Sequence, residues 1–124
     1  MLKLILVMAG GAIGAGLRYE VGRLTLHRFG PGFPWGTLAV NLLGGLAMGL
    51  LAGILLRVEG GEHSRLFLAV GILGGFTTFS AFSLETYNML QTGAWANAAG
   101  YVAASVIGSI ALLGVGVMLT RLAA

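Results

Sequence analysis

No cysteine occurs in the chain, which excludes disulfides, thiolate metal sites and a cysteine nucleophile. Charge is nearly as scarce: 9% of the 124 residues are Asp, Glu, Lys or Arg, where a soluble domain carries about a quarter. No HExxH, P-loop, GxGxxG after a strand or nucleophile triad is present, so nothing in the sequence points to an enzyme. The basic residues stand singly near the ends of apolar stretches. That placement suits lipid headgroups and leaves no basic stripe for nucleic acid. Glu20, Glu59, Glu62 and Glu85 also lie near such ends. A proton-coupled pump needs an ionisable group in mid-membrane, so passive conduction is the better fit. His27 and His63 are expected in loops, as solvated residues rather than metal ligands.

What remains is apolar. Hydrophobic residues make up 57% of the chain and the mean hydropathy is +0.95, as in an integral membrane protein with little outside the bilayer. A span needs roughly 20 apolar residues. Four stretches qualify, at about 2–26, 35–56, 66–90 and 94–119. The sequence thus predicts an all-α membrane domain over 1–124, with short connections. Gly30, Pro31, Gly32 and Pro34 lie in the first connection, the second is charged between Arg57 and Arg65, and Gln91 to Gly93 forms a tight turn. The start of the chain also has the shape of a signal peptide. Cleavage would discard much of the first apolar stretch, so an uncleaved first span is expected.

Many of the glycines fall in rows. Gly10 and Gly14 form GxxxG in the first span, and Gly45, Gly49 and Gly53 form two units in the second, spacing that lets helix backbones approach closely. Gly100, Ala104 and Gly108 make a similar ridge in the fourth. The third span reads GILGGFTTFSAFS from Gly71 to Ser83. Gly74 and Gly75 each cost a helix roughly 1 kcal/mol relative to Ala, and the hydroxyls of Thr77 and Thr78 can take up loosened backbone groups. A broken helix is expected here. At membrane depth that requires burial in protein or a cavity, which makes the stretch a candidate ion site; a glycine-rich packing helix with phenylalanines facing lipid is the other reading.

Polar residues inside the spans carry the remaining information. Arg18 either snorkels to the interface or lends positive charge to a vestibule. Thr37 and Asn41 share a face of the second span, and Asn41 serves either helix packing or a pore. Glu85 is expected as a solvated interfacial charge. Asn97, Tyr101, Ser105 and Ser109 recur every four residues, a polar stripe expected to face water or an ion. Trp35 and Trp95 are interface anchors. With four spans, Lys3, Arg57, Arg65 and Arg121 share one side against Arg23 and Arg28, with Arg18 near them. So small a bias specifies orientation poorly, and a protein inserted both ways could pair antiparallel with itself.

The segments GGAIGAGLRY (Gly10 to Tyr19), GTLAVNLLG (Gly36 to Gly44) and GGFTTFSAFSLE (Gly74 to Glu85) resemble the Fluc, or CrcB, family of bacterial fluoride channels. The resemblance covers the whole chain, and GGxTTFSxFS is its specific signal. It implies an antiparallel, dual-topology homodimer in the bacterial inner membrane with two separate pathways that export cytoplasmic fluoride and relieve its toxicity. It implies a structural sodium ion at the dimer interface, held by backbone carbonyls that would be those of Gly74 and Thr77. It places Phe79 and Phe82 as pore phenylalanines, with Asn41 and Ser80 beside the path and Arg18 at the vestibule. Tyr101, Ser105 and Ser109 fit a polar track by register. Ala81 stands where the family often has threonine.

The implied chemistry is coherent. A small, strongly hydrated anion must exchange its water for donors, which Asn and Ser side chains supply. A phenylalanine edge is the positive part of its quadrupole. Weak sites of this kind let an ion leave as well as enter. The alternative is a small dual-topology multidrug or cation exporter, but those rely on a membrane-embedded glutamate in the first span, where this chain has only Glu20 near the end.

Overall fold

The computed structural model describes every residue except Leu56, Val58 and Ala124. Helix α1 spans Leu2–Phe29 and α2 Trp35–Leu55. The third span runs from Glu62 to Gln91 in two halves. Its first half, α3, joins a short turn Glu62–Ser64, a π-helical stretch Arg65–Leu73 and a last α-helical turn Gly74–Phe76. Its second half is α4, Ser80–Gln91, and the chain ends with α5, Trp95–Leu122. Among the described residues there is no strand, and four segments are long and apolar enough to cross a membrane. The chain is a multi-pass membrane protein.

Helices outrun the apolar stretches. Twenty-eight residues in α1 make about 42 Å at 1.5 Å per residue, against a hydrocarbon core of about 30 Å. The extra turns carry Glu20 and Arg23, an exposed ion pair at 2.9 Å. His27 therefore stands in the last turn of α1, and His63 in the turn 62–64, both exposed and helical rather than in loops. Leu56, the expected end of the second span, lies outside the described residues. The turn between α4 and α5 is set by Gly93, whose φ of 81° suits glycine best. Beside it the Ala94 amide donates to the Met89 carbonyl at 2.8 Å.

Two backbone-to-backbone seams hold the spans together. Along the α2–α5 seam, a Cβ at Gly45 would lie 2.7 Å from the Ser109 carbonyl oxygen, and one at Gly49 would collide with the Leu113 carbonyl. Gly116 answers from α5, where a Cβ would lie 2.6 Å from the Leu46 carbonyl. Along the α1–α3 seam, Gly10 rests on Gly71, and Gly14 on Ile72 and Phe76. The ridge expected in α5 is only partly used: Gly108 meets the Leu42 side chain, whereas Gly100 faces open space. With no hydrophobic effect between helices in lipid, close packing of this kind is the main attraction.

The third span breaks later than its glycines suggest. Gly74 is helical, with φ −63° and ψ −38°. The chain leaves the helix at Thr77, which is extended at φ −83° and ψ 158°. Gly75 instead serves packing, since a Cβ there would lie 2.5 Å from the Gly11 carbonyl oxygen. Before it, the π-helical winding of Arg65–Leu73 is announced by no glycine or proline at its start.

Candidate functional site

At the break, backbone groups that a continuous helix would pair among themselves are redistributed. The Thr78 amide, due to the Gly74 carbonyl in a regular helix, donates to Asn41 Oδ1 at 2.9 Å. Asn41 Nδ2 returns a bond to the Thr78 carbonyl at 2.9 Å. The Ala81 amide, due to the Thr77 carbonyl, donates to Thr78 Oγ1 at 3.1 Å. Thr78 thereby caps α4, satisfying one of its orphan amides. The carbonyls of Gly74 and Thr77 are left without those helical donors. Arg18 Nε donates to the Gly75 carbonyl at 3.1 Å.

Beside the break lies a groove of about 420 Å³ between α2, the break and α5. Asn41, Thr77, Phe79, Phe82, Ser105 and Ser109 line it. Residues scattered over nearly seventy positions are thus gathered by the seams described above. Ser109 Oγ donates to the Asn41 carbonyl at 3.3 Å. Ser105 is buried and its hydroxyl has no hydrogen-bond partner. Such groups are rare inside proteins and call for an explanation. Asn41 spends one Nδ2 hydrogen and its oxygen on Thr78, and one N–H remains.

The two phenylalanines differ. Their centroids are 5.5 Å apart, but Phe79 is 76% exposed and Phe82 only 8%. Phe82 belongs to the core formed with Leu38 and Tyr101, so it packs as well as lining the groove. Phe79 stands at the break itself, before α4 begins, rather than one turn along a shared helix.

Other expected residues lie elsewhere. Tyr101 is wholly buried; its ring lies 5.1 Å from that of Phe82 and its hydroxyl donates to Glu85 Oε1 at 3.3 Å. It therefore does not open onto the groove, unlike Ser105 one turn further. Ser80 is exposed, its hydroxyl 3.3 Å from Thr78 Oγ1, and is not part of the groove wall. Asn97, the first residue of the stripe, is exposed and apart. Glu85 was expected to be a solvated interfacial charge; it is half-buried, and accepts from Thr37 Oγ1 at 2.7 Å as well as from Tyr101. Thr37 and Asn41, which share a face of α2, thus reach two different parts of the third span, Glu85 and Thr78. Arg18 is half-buried and borders a separate cavity of about 590 Å³ with Tyr19, Arg23, Thr37 and Thr78.

The model of the family described as "CrcB-like protein, Camphor Resistance (CrcB)" matches residues 5–117. The chain belongs to the CrcB family. Among its curated relatives, the Fluoride-specific ion channel FluC of Sphingopyxis alaskensis is 55% identical over 122 residues, covering 98% of this chain and 97% of that one. The protein of the same name from Mesorhizobium japonicum is 50% identical over 121 residues, with 98% of each covered. A third, from Caulobacter vibrioides, is 50% identical over 123 residues, with 98% of this chain and 97% of the relative covered. Membership of the CrcB family puts the chain among ion channels rather than enzymes.

Proposed function

We propose that this CrcB-family protein is a passive, fluoride-selective channel that lets cytoplasmic fluoride out across the bacterial inner membrane. The observation that carries the reading is the groove, where a buried, unpartnered Ser105 hydroxyl faces the same space as Asn41 and the two phenylalanines. An anion there would take the Ser105 O–H, the spare N–H of Asn41 and ring edges in exchange for its water. Each is a modest donor, so the ion is held without being trapped. The names of the relatives supply the identity of the anion.

The working unit in this reading is an antiparallel dimer of dual topology. The 76% exposure of Phe79 supports it, because a second copy would complete the wall that one chain leaves open. A structural sodium ion fits the break. Among the described residues no group of three or more acidic, His or Cys side chains could hold a metal, while the carbonyls of Gly74 and Thr77 have lost their helical donors. Such carbonyls are hard, neutral ligands, and the ion would supply a fixed positive field beside the anion path. Asn41 and Thr78 keep those carbonyls free by taking the amides that would otherwise bond them.

Purified protein in liposomes, loaded with fluoride or chloride and followed by ion-selective electrodes, tests the reading. Fluoride is expected to leave rapidly and chloride to stay. Release of chloride at a similar rate, or transport of a quaternary ammonium cation instead, would overturn it.

A further inference from the structure

We propose that Arg18 is a positioning residue that caps the first half of the broken span from a neighbouring helix, and so fixes where the break occurs. The inference rests on reading the break and its groove as part of the ion path. A helix C-terminus leaves carbonyls without donors and carries partial negative charge, and a cation with N–H groups answers both. Half-helix α3 ends at Phe76. In a continuous helix the Gly75 carbonyl would accept from the Phe79 amide. Here it accepts from Arg18 Nε at 3.1 Å, across 57 positions of sequence.

The placement is built by α1. Gly11, Gly14 and Arg18 follow at intervals of three and four, so they share one helix face. A Cβ at Gly75 would lie 2.5 Å from the Gly11 carbonyl oxygen, and one at Gly14 would lie 2.8 Å from the Phe76 amide nitrogen. The glycines bring the backbones into contact, and one turn later the arginine reaches over the end of α3. Arg18 then holds residue 75 from α1 while Asn41 holds residue 78 from α2. The two residues between, Phe76 and Thr77, carry the turn. The arginine's remaining N–H groups are left to the cavity beside it, so a role for its charge there does not compete with the cap.

Two substitutions separate a cap from a charge. In Arg18→Gln the side-chain nitrogen is the same number of bonds from Cα as arginine Nε, so a donor can stay on Gly75 while the charge is lost. Arg18→Met removes both. The readout is amide hydrogen exchange, by mass spectrometry on the liposome-reconstituted protein, in peptides covering 76–82 and, for comparison, α5. The cap predicts exchange faster by about tenfold in Arg18→Met, confined to 76–82, with less than about threefold change in Arg18→Gln. Unchanged exchange in Arg18→Met, or equal acceleration in both variants, would overturn it. Should Arg18→Met not fold, Arg18→Leu with a shorter but equally donor-free side chain is read against the same criteria. A wild-type protein that carries no fluoride would remove the ion-path reading and leave the exchange result to decide the cap.

Discussion

Ser105 offers a test in which stability and transport should move in opposite directions. Its hydroxyl is buried and unpartnered. Leaving such a group unsatisfied costs roughly 1–3 kcal/mol. Ser105→Ala removes the hydroxyl and little volume, so the folded protein should gain about 1 kcal/mol or hold its own. Transport should suffer. A hydrogen bond to a charged group is worth roughly 1.5–3 kcal/mol, and each 1.4 kcal/mol is about tenfold. Loss of that donor should therefore slow fluoride release by about ten- to a hundredfold. Thermal unfolding in detergent and electrode-monitored efflux from liposomes, on one preparation, provide both numbers. An alanine variant that is less stable and conducts normally would show the hydroxyl to be an unrecognised packing contact, and would refute the reasoning.

Further outcomes follow from the same geometry. Asn41→Asp keeps the acceptor for the Thr78 amide but sets a carboxylate oxygen against the Thr78 carbonyl; two like charges about 5 Å apart at an effective dielectric of about 20 repel by about 3 kcal/mol, so efflux at neutral pH should fall by about a hundredfold. Phe82→Ile preserves bulk in the Leu38–Tyr101 core, costing less than about 1.5 kcal/mol, yet should cut flux strongly; near-normal flux would return the ring to a packing role. A Cβ added at Gly74 would meet nothing nearer than the Ala69 carbonyl oxygen at 3.8 Å, so impaired dimer recovery of Gly74→Ala in gel filtration would locate the loss between copies, and an unaffected dimer would speak against cation-binding carbonyls at the interface. Single cysteines placed near Met1 should react with an impermeant reagent from both sides of intact cells; labelling from one side with full activity would exclude dual topology.

The spans could be read from the sequence because hydropathy over twenty residues is a strong local signal, and the packing ridge of α2 because a glycine row has few other uses in lipid; that α5 is its partner comes only from the structure. The third span shows where such reading stops. Its glycines announce irregularity, but the helix runs through Gly74 and Gly75 and ends at Thr77. What decides the point is the presence of acceptors and donors on other helices: Asn41 for Thr78 and Arg18 for Gly75. No window of the chain contains those pairs. Glu85 is similar. By position it looks like a charge at the water's edge, and only the packing of α2 and α5 brings Thr37 and Tyr101 to it. The stripe in α5, expected to face water or an ion along its length, meets three environments: solvent at Asn97, core at Tyr101, and the groove at Ser105 and Ser109.

The clamps on residues 75 and 78 also bear on how the chain enters a bilayer. An unpaired backbone group in hydrocarbon costs several kcal/mol. A third span inserted alone has neither Arg18 nor Asn41 to take its amides and carbonyls, so its lowest-energy form is one uninterrupted helix through Thr77 and Thr78. The interruption requires α1 and α2 docked against the span, where side-chain bonds from Arg18 and Asn41 replace helical ones. The kinked shape is therefore a property of the closed bundle rather than of the third span by itself.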